Sequence, residues 1–158
     1  MRMIRCALLG LLIASNTSVA GTGALSLKVT ALDPAVKSGS KVMIQVTTIN
    51  RSNLVITYHN TARYCDYKVT VLTDSSSSAP ETSFKKQMNE HCNNGGGLRI
   101  TGRNIVVTLK PGESDSEEIL LTEWYDMSAP GEYTVQVERT FPEIGRFRSN
   151  TVSIKVSQ

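Results

Sequence analysis

The sequence predicts an all-β protein, an antiparallel β-sandwich of about 7–9 strands. Three observations lead there. Apolar residues alternate with polar ones through most of the chain, as strands with one buried face require. Turn residues punctuate the runs at short intervals. All five prolines, Pro34, Pro80, Pro111, Pro130 and Pro142, fall in the connections, where a missing amide donor does no damage. Two sheets of such strands bury their apolar faces against each other. A closed barrel is the alternative arrangement. No convincing amphipathic helix is visible.

The runs follow in order. Leu25, Leu27, Val29 and Ala31 alternate until Asp33-Pro34, and Lys37-Ser38-Gly39-Ser40 turns the chain. Val42, Ile44 and Val46 form the next run, closed by the turn Asn50-Arg51-Ser52-Asn53. Leu54, Ile56 and Tyr58 follow, then Tyr67, Val69 and Val71. A polar loop, Ser75 to Pro80, leads to a weaker strand over Phe84 to Met88 and a flexible loop over Asn93 to Gly97. In the second half, Ile105, Val107 and Leu109 precede the turn Lys110-Pro111-Gly112-Glu113. Ile119 with Leu121, then Tyr133, Val135 and Val137, and last Val152, Ile154 and Val156 complete the set.

Residues 1–20 read as an export signal. Arg2 and Arg5 give a basic start, and Ala7 to Ala14 is an apolar run too short to span a bilayer. Ser18-Val19-Ala20 supplies the small residues of a cleavage site, so cleavage is expected after Ala20. Residues 21–158 then form one domain, secreted or periplasmic, with no second membrane segment. Of the 17 basic residues 15 remain against 14 acidic, a charge of +1, once Arg2 and Arg5 are removed. That balance gives nucleic acid no basic surface to bind.

Cys65 and Cys92 survive cleavage, and an oxidising compartment favours a bridge between them over two buried thiols. Their midpoint falls between Ser78 and Ala79, inside the serine-rich loop. The expectation is a disulfide tying the open end of a hairpin built from residues 65–73 and 83–92. Such a bridge contributes roughly 3 kcal/mol. No C-x-x-C is present to suggest redox activity.

Trp124, Asp126, Gly131 and Tyr133 lie in WYDMSAPGEYTVQV, a turn running into a strand. In immunoglobulin-like domains a tyrosine placed in this way returns its hydroxyl to upstream backbone. These four residues are read as a structural corner of the scaffold, not a catalytic site. The wider run LKPGESDSEEILLTEWYDMSAPGEYTVQV, Leu109 to Val137, resembles bacterial immunoglobulin-like modules of secreted proteins. It is similar to the small β-domain that precedes the catalytic domain in deuterolysin-type and lysine-specific metalloendopeptidases. It is also similar to proteinase-inhibitor domains of the BsuPI type. The stretch VKSGSKVMIQVTTINRSN, within Lys28 to Asn53, extends the likeness. The resemblance implies an immunoglobulin-like sandwich and speaks weakly to function.

Catalytic motifs are missing. There is no H-E-x-x-H, and the chain holds only two histidines, His59 and His91. There is no G-x-S-x-G elbow. The glycines at 95–97, followed by Arg99, lack the Lys-Ser/Thr of a phosphate loop. A weak metal site from His59, His91 and Asp66 is one alternative. Weak calcium binding at Glu113, Asp115, Glu117 and Glu118 is another, set against a charged edge strand. The expectation is a non-enzyme with no cofactor and no metal.

The segment RTFPEIGRFRSN, Arg139 to Asn150, is the most suggestive for binding. Arg139, Phe141, Ile144, Arg146, Phe147 and Arg148 combine the aromatic and arginine chemistry that carries energy at interfaces. Loops at the ends of a sandwich are where recognition sits. The expected function is a secreted, non-catalytic protein-binding or scaffold module that presents end loops to another protein or a cell-envelope component. The alternative is a proteinase inhibitor inserting loops into a protease cleft. Chagasin-type inhibitors use N-P-T-T-G, a glycine loop and R-P-W. This chain has the loop Asn94 to Gly97 and RTFP but neither of the other motifs.

Overall fold

The computed structural model describes residues 23–94 and 105–158. The signal-like segment 1–20 and the glycines at 95–97 lie outside the described residues. Among the described residues nine strands and three helices follow in the order β1 (Leu25–Ala31), β2 (Ala35–Lys37), β3 (Met43–Asn50), β4 (Ile56–Asn60), α1 (Arg63–Asp66), β5 (Tyr67–Thr73), α2 (Ser83–Asn94), β6 (Ile105–Leu109), β7 (Ser114–Leu120), α3 (Leu121–Trp124), β8 (Gly131–Phe141) and β9 (Gly145–Ser157). One sheet runs β1-β3-β7 and the other β2-β9-β8-β5, with β4 and β6 paired as a separate ribbon. The fold is an immunoglobulin-like β-sandwich. All strand pairs are antiparallel except the short β2, which runs parallel to β9.

Alternation in sequence becomes alternation in burial. On β1 and β3, Leu25, Leu27, Val29, Ile44 and Val46 turn inward, and Val29 sits opposite Val46. On the facing sheet Val69, Val71, Val135, Val137 and Ile154 do the same. The two layers meet in one hydrophobic cluster. Asn150 seals one margin between them. Its side-chain amide donates to the Val29 carbonyl at 3.0 Å and accepts from the Val29 amide at 2.9 Å, replacing a strand neighbour for β1. The Lys110–Glu113 turn uses Pro111 and a Gly112 with φ of 80°, the left-handed conformation that this turn position requires. Asn50, buried on β3, donates to the Leu54 and Leu109 carbonyls and so pins the ribbon to the sandwich.

Three sequence expectations are corrected. Residues 84–88 are part of helix α2, not a strand. Thr82 caps that helix, its hydroxyl accepting from the Lys85 amide at 3.2 Å. Phe84 and Met88 then share its inner face at i, i+4 spacing. The Cys65–Cys92 disulfide exists, but it joins α1 to α2 and not the arms of a hairpin. The strand β5 pairs with β8 instead, with Val69 opposite Val137. Finally, residues 139–150 are not one loop. They form the end of β8, a three-residue tip and the start of β9, with Phe141 opposite Gly145.

Candidate functional site

Period two explains where the Arg139–Arg148 group goes. Tyr133, Val135 and Val137 face inward, so Arg139 and Phe141 must as well. Arg139 is only 3 % exposed and Phe141 1 %. The Arg139 guanidinium lies among the rings of Phe141, Tyr67 and Tyr58, with centroids at 4.4, 4.8 and 5.2 Å. It donates to Asn60 Oδ1 at 2.7 Å, to the Tyr67 hydroxyl at 3.0 Å and to the His59 carbonyl at 3.1 Å, and it pairs with Asp66 at 3.7 Å. Burial holds the Tyr58 phenol well above its usual range, and Asp115 adds to that. Burial also raises Tyr67, with Arg139 pulling part of the shift back. These groups bind one another inside the sandwich.

Of the remaining members, Ile144 and Phe147 are half-buried against the core. Arg146 and Arg148 are exposed, and both pair with Glu138, at 2.6 and 3.2 Å. The structure thus splits the group into an interior pair, a capping pair and an outer ion-pair cluster.

The corner residues lie at the opposite end of β8. Tyr133 donates its hydroxyl to the Ala129 carbonyl at 2.8 Å. Asp126 accepts from the Ser128 amide at 3.0 Å and its hydroxyl at 2.6 Å, which lowers its carboxyl pKa. Gly131 adopts φ of 155°, with the Asp74 carboxylate beside it. Trp124 is 1 % exposed at the end of α3.

The three helices add what a bare sandwich lacks, a walled cleft. A cavity of about 330 Å³ lies between α2 and the edge strand β5, with the disulfide in its wall. Glu81, Lys85 and Asn89 enter it from one line of residues at i, i+4 spacing. Tyr64, Tyr67 and Tyr125 enter from the other side. Lys85 is 5 % exposed, and its ammonium lies 4.3 Å above the Trp124 ring. Its pKa is lowered by burial, with Glu81 acting in the opposite sense. Asn89 Nδ2 donates to both Glu81 oxygens at 3.2 Å. Tyr125 donates its hydroxyl to the Val69 carbonyl on β5 at 2.6 Å, and burial pushes that phenol up to about 12. Tyr64 packs against Phe84 and Trp124, with centroids at 5.1 and 5.5 Å.

Sequence reasoning missed Lys85, because in a strand over Phe84 to Met88 it falls on the face opposite those two residues and reads as solvated. Its signal was the Phe84–Met88 spacing, which would have put Lys85 beside the buried face. A larger cavity, about 440 Å³, lies across the Glu81–Tyr125 bridge, but its charged residues Lys41 and Asp126 are exposed. The exposed side chains Leu54, Val55, Ile105 and Val106 flank the two ends of the β4–β6 ribbon, more than about 10 Å apart by strand rise, and make no single patch.

Among the described residues no three His, Cys, Asp or Glu side chains gather as a metal site would need, so His59, His91 and Asp66 do not converge. In the acidic run, Asp115 and Glu117 turn inward and accept from Asn60, and Asp115 also accepts from Tyr58. No helix among the described residues is long and apolar enough to cross a membrane.

No family model and no curated protein matches the chain. Among solved structures, it is similar to the CARDB domain of a Pyrococcus furiosus protein in a crystal structure with di-metal ions. The identity is 12 %, over 84 % of this chain and 87 % of that one, with a TM-score of 0.40. The solution structure of that domain gives 13 %, 84 %, 94 % and 0.39. BslA, described as a bacterial hydrophobin, gives 16 %, 87 %, 98 % and 0.41. At these identities none of them assigns a residue of this chain a role.

Proposed function

We propose that this chain is an exported, non-catalytic binding module that takes its ligand or partner in the cleft between α2 and β5. One observation carries the reading: Lys85 is almost wholly buried, lines a cavity, and rests on Trp124 with no carboxylate in ion-pair range among the described residues. Lysine is almost never buried to this degree unless paired. A perturbed charge in a cleft marks a candidate site. Export is supported by the leader pattern and by the disulfide that walls the cleft. Absence of catalysis is supported by the way Arg139, Tyr58 and Tyr67 are spent on one another. An inhibitor would need a projecting apolar loop, and within residues 139–150 the burial of Phe141 leaves only the short tip at Pro142 to Ile144, while the glycines at 95–97 lie outside the described residues.

The chain has a single tryptophan, and it forms the floor under Lys85. A panel of small amines, amides, acids and short peptides is therefore titrated against the exported chain, following Trp124 fluorescence and backbone amide shifts. At least one class is expected to move both Trp124 and the amides of residues 64–69 and 81–92, with the ligand recovered unchanged. Shifts confined to residues 141–148, stoichiometric inhibition of a protease in a parallel panel, or chemical conversion of a ligand would overturn the proposal.

A further inference from the structure

We infer that the cleft recognises the carboxylate of an apolar acid, with Lys85 as its anchor and the tyrosine rings as its walls. This rests on the binding-cleft reading above and names the chemistry of its ligand.

An ammonium has three donors and is strongly hydrated in water. At 5 % exposure Lys85 keeps little of that hydration, and its Nζ, which no acceptor among the described residues meets, is not sealed from solvent. The Trp124 face compensates on one side at 4.3 Å, as a cation over a ring does. Glu81, the nearby anion, is turned to Asn89, which donates to both of its oxygens. It stays outside ion-pair distance of Lys85, and among the described residues the ammonium meets no other acceptor. A largely buried ammonium with no hydrogen-bond acceptor among the described residues, lining a cavity, is open to an external anion.

The walls define which anion. The Tyr125 hydroxyl is committed to the Val69 carbonyl, and the Tyr67 hydroxyl is held by Arg139. What these residues offer the cavity is ring surface, beside Tyr64. Phosphate and sulfate call for several converging donors or an arginine fork, and Arg139 is turned away into the sandwich. Lys68 also lines the cavity but is exposed on β5, so Lys85 is its one buried ammonium, and a buried ammonium beside tyrosine rings suits a carboxylate attached to an aromatic or aliphatic group. The volume of about 330 Å³ is at the low end for ligand sites. It accommodates a free aromatic acid or the last residue of a peptide chain. The Cys65–Cys92 bridge fixes α2 against α1 before any ligand arrives, so the ammonium is already in place.

Calorimetry on the exported chain separates these sources and tests the anchor. The probes are 3-phenylpropionate, its neutral amide, the peptide Ala-Ala-Phe with a free C-terminus, the same peptide amidated, and acetate. The acid and the free-terminus peptide are expected to bind roughly ten- to a hundredfold more tightly than their amides, and acetate more weakly than either. Tighter binding of the propionate than the peptide identifies a free acid as the ligand chemistry; the reverse identifies a chain terminus. Lys85→Met is expected to abolish the preference for acid over amide while its unfolding midpoint stays at or above that of the wild type. Lys85→Gln supplies the same comparison should methionine disturb α2. Equal binding of acid and amide, or an unchanged preference in both variants, overturns the inference. If neutral probes alone move Trp124 and residues 64–69, the carboxylate assignment falls and the cleft remains a binding site. If no probe moves them, both readings fall.

Discussion

Arg139 Nη2 donates to Asn60 Oδ1 at 2.7 Å inside the sandwich, tying β8 to the β4–β6 ribbon. The same guanidinium holds the Tyr67 hydroxyl and the His59 carbonyl. Arg139→Ala leaves these acceptors, and the Asp66 charge, without their donor. A loss of about 3–5 kcal/mol is expected. Arg139→Lys keeps the charge but not the planar fork, and still loses at least about 1.5 kcal/mol. Urea unfolding of the two variants measures this. Wild-type stability in Arg139→Ala would place the guanidinium on the surface as a binding residue, contrary to its burial.

The disulfide joins two helices across 27 residues of sequence, with its Cα atoms 5.5 Å apart. Removing it by Cys65→Ser and Cys92→Ser is expected to cost about 3 kcal/mol. The loss is also expected to be local, because α2 is held to α1 by this bridge and to the rest of the fold by a few side chains, whereas β8 pairs on both sides. Hydrogen exchange should show residues 83–92 losing protection while residues 133–139 keep theirs. Uniform loss across both regions would mean that α2 unfolds only with the sheet.

Two tyrosines return hydroxyls to backbone, and they are not equivalent. Tyr125 donates to Val69 inside the protein, whereas Tyr133 donates to Ala129, which is exposed. Tyr125→Phe strands a buried carbonyl and is expected to cost about 1–3 kcal/mol. Tyr133→Phe lets water replace the lost partner and is expected to cost about 0.5–1 kcal/mol. Thermal or urea unfolding of the pair checks the order, and the reverse order would make Tyr133 the main corner of the fold.

The strands were legible because burial in a sandwich has period two, and residues such as Val29, Val46, Val135 and Ile154 carry that period openly. The same rule reaches Arg139 and Phe141, since β8 continues through them, but an arginine and a following proline disguise the strand as a loop. Helix α2 was hidden for a different reason. Its inner face needs only Phe84, Met88 and Cys92 at four-residue intervals, and polar residues fill the rest. Read two by two, that segment looks like a poor strand. Symmetry between Cys65 and Cys92 about the serine loop then argued for a hairpin, although a bridge fixes only where two residues meet and not the backbone that carries them. The cleft could not be read at all, since it exists only where α2 lies across β5.

Lys85 gives that cleft a pH signature. Burial lowers its pKa below the ordinary 10.5. Between the folded value and 10.5 the unfolded chain holds a proton that the folded chain has released, so stability rises with pH across that window. Below the window both states are charged and the full cost of burial is present. Lys85→Met removes that cost and is expected to unfold at higher urea near neutral pH, with an advantage that shrinks as pH climbs toward 10.5. The raised phenols of Tyr58, Tyr67 and Tyr125 act in the opposite sense, because unfolded phenols ionise first. They are common to both proteins and cancel in the difference. Glu81 is the charged group facing Lys85, and its pull narrows the window without reversing it. Urea unfolding of both proteins from about pH 7 to about pH 10 reads the gap directly. A gap that stays constant with pH, or a less stable Lys85→Met at neutral pH, would mean that the ammonium is already fully compensated inside the fold.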